Sequence, residues 1–340
     1  KYREAYKKLP QRLFLGSETA STVSSRGVYK FPVVRKSMAK YADMQSSSYD
    51  VEHCGWSNLP EDDWIHQEDL PYMIGEFIWT GFDYLGEPTP YYVEWPSHSS
   101  YFGAVDLAGL PKDRFYLYRS HWNKEAETLH ILPHWNWEGR EGETTPIFVY
   151  TNYPSAELFI NGKSQGKRYK DLSIKLEEEE KDGNPEDLER QKRYRLMWMD
   201  TKYEAGVVKV VAYDNNGKAV AEKEIRTVGK PYALRLTTHK ETAFSPNGKD
   251  LAYITVEAVD KDGNLCPNVN DLVTFSVKGV GSYRAAANGD PTCTDVFHLP
   301  KMHLFNGKLV VIVQSGEEKG KTTLKAQSKR LKGEITIISE

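Results

Sequence analysis

Cysteine is scarce in this chain: Cys54, Cys266 and Cys293 are three among 340 residues. So few, so scattered, build no disulfide framework. Three free thiols are expected, although Cys266 and Cys293 both fall in the last domain. Neither sign of charge is in excess, with 45 Lys and Arg against 48 Asp and Glu and a net charge of −3. That balance implies neither nucleic acid nor an anionic membrane as a partner. No apolar run approaches the length of a membrane-spanning helix, so no membrane insertion is expected. Residues 1–10 lack the apolar core and cleavage pattern of a signal peptide. They are amphipathic and charged, and read as the end of a helix whose start is missing. The expectation is therefore a piece of a longer protein.

Aromatic residues are abundant: 12% of the chain, with eight Trp and 21 Tyr. Large cores use such residues, and so does sugar recognition, where the apolar face of a pyranose stacks on a ring. Arg12 to Thr19 (RLFLGSET) reads as a short, fully buried strand that ends in a hydroxyl and the carboxylate of Glu18. A polar, Ser-rich stretch follows to Gly27. Residues 31–45 suggest a short helix inside a long connection. Residues 61–69 (EDDWIHQED) have the acidic start and spacing of a helix, with Pro71 beyond its end. Tyr72 to Gly81 centres on a second buried strand. It opens into Phe82 to Pro90, a Gly/Pro loop rich in carboxylates and rings. Strand, helix-bearing crossover, strand is a βαβ unit of a parallel sheet. Asp113 to Trp122 reads as a helix that closes this part.

From about residue 125 the strands become short, alternating and punctuated. Asn161-Gly162 is a type I′ hairpin signal, and Asn215-Asn216-Gly217 is a further turn. Strands at this spacing suggest an immunoglobulin-like sandwich. The acidic stretch Leu176 to Arg190 interrupts it as a solvated loop. Gly229-Lys230-Pro231 marks a boundary, and a second all-β unit runs to the end. The expected class is α/β plus all-β: residues 1–122, then two β-sandwiches at 123–229 and 230–340.

Glu18 alone admits two readings: a surface strand cap, or a catalytic carboxylate delivered by a parallel barrel strand. Trp79, at the tip of the second strand, is either plain core or a platform for a sugar ring. Asp83 and Glu87 either contact substrate or fix their own loop. Tyr49 and Asp50 read as turn residues. His130, His134, Trp135 and Trp137 tempt toward a metal or a sugar, but Pro133 and the strand context deny the histidines a helical ligand face; core packing is expected. Tyr283, Asn288 and Asp290 read as loop residues. No metal site and no cofactor is expected.

Two longer stretches carry a resemblance. Gly16 to Tyr29 (GSETASTVSSRGVY) is similar to the nucleophile segment of a bacterial β-galactosidase of glycoside hydrolase family 2. Gly75 to Tyr91 (GEFIWTGFDYLGEPTPY) resembles the last barrel strand of that group, and residues 100–113 the segment after it. Residues 130–137 and 157–164 resemble the sandwich domain that follows the barrel, and the last unit resembles a bacterial immunoglobulin-like module. The resemblance implies the C-terminal portion of a (β/α)8 barrel followed by two immunoglobulin-like sandwiches. It implies Glu18 as catalytic nucleophile, Trp79 as the ring stacking on a terminal galactose, and Asp83, Tyr84 and Glu87 as polar contacts. The substrate implied is a β-galactoside oligo- or polysaccharide, and the implied setting is periplasmic or extracellular.

The sequence departs from the family in two places. Thr19-Ala20-Ser21 stands where better-known members carry Tyr-Ala-His, so a sugar contact by that His does not carry over. The family's acid/base glutamate follows an Asn, and this chain has no Asn-Glu pair. A retaining glycosidase needs two carboxyl groups about 5–5.5 Å apart. With one of them, this segment alone is expected to be inactive. A competing class is a non-catalytic carbohydrate-binding or spacer protein, which would carry exposed aromatic rings on a sandwich. A neighbouring enzyme reading is a β-glucuronidase, whose acidic sugar would require cations near Glu18; Arg26 and Arg35 are the candidates in sequence.

Overall fold

The computed structural model describes residues 2–177, 187–239 and 244–340. It divides into two compact units, Lys1–Val105 with Pro111–Arg226, and Asp106–Leu110 with Thr227–Glu340. The chain is mostly β, with few helices and sandwich-like sheets.

In the first unit, helix α1 (Tyr2–Lys8) leads into strand β1 (Phe14–Thr19). Two-residue strands β2 (Lys36–Ser37) and β3 (Glu52–His53) pair in parallel. Helix α2 (Pro60–Asp69) precedes strand β4 (Met73–Ile78), and β4 pairs in parallel with β1. The strand–helix–strand order expected for residues 12–81 is therefore present. Three expectations fail, one of them the burial of β4, where Ile74 and Phe77 are 59% and 64% exposed because no further strand or helix covers that face among the described residues. Residues 31–45 form no helix: Met38 and Met44 take positive φ, and Lys36–Ser37 is drawn into pairing with Glu52–His53. Strand β1 is not fully buried either. Leu13 beside it is 67% exposed, and Leu15, Ser17 and Glu18 are also exposed. Its covered side, Phe14, Gly16 and Thr19, faces α2 and Tyr72, and among the described residues β4 is its one hydrogen-bonded neighbour.

Helix α2 starts with Pro at its first position, where the missing N–H costs nothing. Glu61, Asp62 and Asp63 fill its first turn, where carboxylates complement the helix dipole. Asp62 also accepts the backbone N–H of Leu59 at 3.0 Å. All three acids are buried, which is tolerable only with partners. Arg35 binds Asp62 at 2.6 Å and Arg190 reaches it at 3.3 Å. Arg195 binds both oxygens of Glu61 and donates to the carbonyls of Tyr49 and Asp50, each at 3.0 Å. At the other end of α2, Arg193 holds Glu68 and Asp69.

Helix α3 (Asp113–Trp122) precedes a sandwich of two antiparallel sheets. Its strands are β5 (Leu129–Leu132), β6 (Ile147–Thr151), β7 (Ser155–Ile160), β8 (Lys163–Tyr169), β9 (Leu196–Trp198), β10 (Val207–Tyr213) and β11 (Ala219–Arg226). The sheet orders are β5-β6-β9 and β11-β10-β7-β8. Strand β10 alternates as expected of a half-buried strand, with Val208, Val210 and Ala212 inward. The β7–β8 turn has φ of 49° at Asn161 and 79° at Gly162, the backbone of the expected hairpin. Strand β6 is buried on both faces. Ile147 and Val149 enter the sandwich core, while Phe148 and Tyr150 join Tyr49, Trp64 and Leu117 on the other side. Part of the acidic stretch between β8 and β9, residues 178–186, lies outside the described residues; Arg190–Arg193 after it form a short 3-10 turn.

The second unit is another sandwich of antiparallel sheets. Its strands are β12 (Ala233–Thr238), β13 (Leu251–Val259), β14 (Leu272–Gly279), β15 (Ser282–Ala287), β16 (Lys301–His303), β17 (Lys308–Gln314), β18 (Gly320–Gln327) and β19 (Lys332–Ser339). The sheets run β12-β13-β17-β15 and β16-β14-β18-β19 around a core of Ile254, Val256, Val273, Val311, Val313 and Leu324. Sequence patterning missed β16, which is too short to show alternation. Cys54, Cys266 and Cys293 are unpaired.

Arg195→Met should destabilise the first unit by about 3–5 kcal/mol, because it strands the buried Glu61 carboxylate. Urea denaturation of wild type and variant measures the difference.

Candidate functional site

The parallel pair carries a bulge where chemistry was expected. Gly16 pairs with Glu76, and Thr19 with Ile78, so three steps along β1 match two along β4. Ser17 and Glu18 occupy the extra length, and both are exposed. Bulges of this kind re-aim a side chain and are rare between parallel strands. Thr19, the next residue, is buried on the opposite side. Its carbonyl accepts the N–H of Trp79 at 2.8 Å. Glu18 and Trp79 therefore leave the two strands side by side, at the same end.

Trp79 is half-buried against Val23, Cys54, Tyr91, Tyr101 and Phe102, and its peptide bond to Thr80 is cis. Its indole N–H donates to the Tyr84 hydroxyl at 3.2 Å, with the rings edge-on. Tyr84 donates in turn to Glu87, which is exposed. Burial and the Glu87 carboxylate raise the Tyr84 pKa, so the phenol stays neutral. Asp83 is placed differently. It is buried, pairs with Lys112 at 2.5 Å, and accepts from Ser100 at 3.0 Å and from the Gly103 N–H at 2.8 Å. Its carboxylate holds the loop together, whereas Trp79, Tyr84 and Glu87 form a connected polar edge.

Sequence reasoning missed the residues behind the bulge. Thr19 Oγ1 donates to Glu76 Oε2 at 2.6 Å, and Trp64 Nε1 of α2 donates to Glu76 Oε1 at 2.8 Å. Burial raises the pKa of Glu76, against the pull of Thr19, Trp64 and Gln67. Asp63, one α2 residue away, accepts the N–H of Ala20, and burial plus the nearby Glu76 push its pKa up to about 8. A carboxylate inside an apolar strand, as in Gly75-Glu76-Phe77-Ile78, is the signal that would have found Glu76. Asp63 was hidden in an acidic helix start that has an ordinary explanation.

The other candidates have structural surroundings. Tyr49 is buried and donates to the Pro146 carbonyl at 2.6 Å, and Asp50 pairs with Arg114 at 3.1 Å. Arg35 is engaged by Asp62, and Arg26 is buried. His130 meets Asp113 at 2.6 Å, His134 stacks on Trp137 with centroids 4.3 Å apart, and Trp135 is fully buried. In the second unit the Tyr283 hydroxyl donates to the Leu299 carbonyl, and Asp290 accepts the Thr292 N–H as a turn residue.

Residues 234–336 match the model of the glycoside hydrolase family 2 C-terminal domain 5, and residues 142–221 match a domain of unknown function (DUF4982). A β-galactosidase of Bacteroides ovatus, BoGH2A, is 40% identical over 339 residues, or 97% of this chain. The chain belongs to glycoside hydrolase family 2. It corresponds to the C-terminal part of a family 2 protein and spans 37% of the length of BoGH2A. A second family 2 relative, a β-glucuronidase of Formosa agariphila, is 31% identical over 66% of this chain and 20% of its own length. Among solved structures, a β-glycosidase from Bacteroides vulgatus aligns with a TM-score of 0.81 and 29% identity, covering all of this chain and 43% of that one. Both β-galactosidases and β-glucuronidases thus stand among the family 2 relatives.

The raised pKa of Asp63 has a defined sign. The folded state keeps a proton that the unfolded chain releases near pH ~3.9. This contribution to stability is complete below that value and is lost as pH rises to about 8, the pKa of the folded state. Glu76, also raised, adds to the same trend. Asp63→Asn should therefore raise the melting temperature more at pH 8 than at pH 5, as read by thermal denaturation at both.

Proposed function

We propose that this chain is the C-terminal part of a retaining exo-β-galactosidase in which Glu18 is the nucleophile and Trp79 stacks on the terminal galactose. The observation that carries the reading is the Trp79 N–H to Thr19 carbonyl bond at 2.8 Å, which sets the exposed carboxylate and the indole at one end of a parallel strand pair. That end, with a carboxylate beside a ring and a polar edge of Tyr84 and Glu87, suits attack on the anomeric carbon of a sugar held by stacking. The 40% identity to a β-galactosidase supports galactose over glucuronic acid. So does the engagement of Arg35 by Asp62, which leaves that cation committed elsewhere. Glu87 remains a candidate polar contact; Asp83 supports it through the loop.

In the reaction, the Glu18 carboxylate attacks the anomeric carbon as the aglycone oxygen leaves with a proton, and water then releases the sugar. The proton donor must stand across the sugar from Glu18. Asp63 and Glu76 lie behind the strand, engaged with Ala20 and Thr19, so neither fits that position. We infer that the chain alone does not hydrolyse β-galactosides, and that the acid/base carboxyl lies on an earlier barrel strand. We also propose residues 1–122 as the barrel portion and 123–229 and 230–340 as immunoglobulin-like sandwiches, in a periplasmic or extracellular protein acting on oligo- or polysaccharide.

A non-catalytic sugar-binding role is less well supported. Trp135 and Trp198 of the first sandwich are buried, and the exposed rings Tyr169, Tyr232 and Tyr253 are scattered. In the native protein that carries this segment, Glu18→Gln should lower aryl β-galactoside hydrolysis by roughly 1,000-fold or more. Trp79→Ala should chiefly raise KM. Wild-type turnover by Glu18→Gln would overturn the assignment, as would Glu18-dependent turnover by residues 1–340 alone for the inactivity of the segment.

A further inference from the structure

We propose that Glu76 is the positioning residue of Glu18: its carboxylate pins Thr19 and so fixes the bulge that aims the nucleophile. This inference rests on the assignment of Glu18 above. The bulge is a place where aim is easily lost. Ser17 and Glu18 sit between two register points, Gly16 with Glu76 and Thr19 with Ile78, and make no ladder pair themselves. A one-residue slip would turn Glu18 to the covered side of the sheet. Something must hold the second register point.

Three contacts do so. The Thr19 hydroxyl donates to Glu76 Oε2 at 2.6 Å. The Thr19 carbonyl accepts the Trp79 N–H. Ala20, next along, gives its N–H to Asp63 and takes φ of 51°, a conformation that an alanine adopts only when its surroundings hold it there. Glu76 is itself fixed from α2, because Trp64 donates to its other oxygen at 2.8 Å. Trp64 is fully buried and stacks on His121 with centroids 4.1 Å apart. The path thus runs from α3 through Trp64 and Glu76 to Thr19, one residue from Glu18. Thr19, the residue Glu76 pins, also accepts the Trp79 backbone N–H, so the same register point serves nucleophile and ring. Glu76 touches neither substrate nor reacting atoms.

The test uses the native protein that carries this segment and an activated 2-deoxy-2-fluoro-β-galactoside with a dinitrophenolate leaving group. In that step a Glu18 oxygen forms a bond to the anomeric carbon, the bond to the aryl oxygen breaks, and dinitrophenolate departs without needing a proton. Its release therefore times the attack of Glu18 alone. Thr19→Val removes the hydroxyl and keeps the shape. It should slow trapping by roughly ten- to a hundredfold, the scale of a small misplacement of reacting groups, with KM for an aryl galactoside nearly unchanged. Thr19→Ser should restore the rate, and Glu76→Gln should slow trapping in the same direction, giving a second route if Thr19→Val does not fold. Wild-type trapping rates in folded Thr19→Val and Glu76→Gln would overturn the inference. Undiminished trapping in Glu18→Gln would instead overturn the assignment of the nucleophile, so the two failures are distinguishable.

Discussion

The acidic first turn of α2 is the constraint on which the first unit depends. Three carboxylates in one helical turn are harmless on a surface, but here all three are buried. Each needs its own answer, and the answers come from different parts of the chain. Arg195, at the entrance to β9, takes Glu61; Arg35 and Arg190 take Asp62; burial and the nearby Glu76 raise the pKa of Asp63, which favours its neutral form. Removing Arg195 would leave Glu61 to bear the full cost of a buried charge. The helix that connects the two parallel strands is therefore held in place by residues more than a hundred positions downstream.

That anchoring explains how an exposed carboxylate can be placed with accuracy. Glu18 is exposed in this segment, and the contacts next to it lie behind the strand. Thr19 and Ala20 are gripped by Glu76 and Asp63, and those are set by Trp64 and the helix. Trp79, Tyr84 and Glu87 are likewise connected through side-chain hydrogen bonds.

Much of this was legible in the sequence, for identifiable reasons. The β1–α2–β4 order followed from an apolar run, an acidic helix start and a second apolar run, and the Asn161-Gly162 hairpin followed from a residue pair that favours two successive positive φ values. Residues 31–45 misled because apolar residues mixed with Lys and Arg mimic an amphipathic helix, while the backbone at Met38 and Met44 obeys tertiary contacts that no local pattern reports. Glu18 and Trp79 were visible as strand-tip residues. Asp83 looked equivalent to Glu87 in its loop, and only the approach of Lys112 and the Gly103 N–H separates them. The bulge was invisible, because it is a mismatch between two strands and belongs to neither alone.

Strand β6 carries one more consequence. Its two faces belong to two cores, Ile147 and Val149 to the sandwich, Phe148 and Tyr150 to the layer around Tyr49 and Trp64. No plane drawn near residue 122 could part those cores without baring two large rings to water. The modular boundary is thus topological, whereas cooperativity runs straight across it. Heat should melt the helix-bearing portion and its adjoining sandwich as one block, and recombination that swapped the sandwich for a foreign one would have to carry β6's outward face along with it.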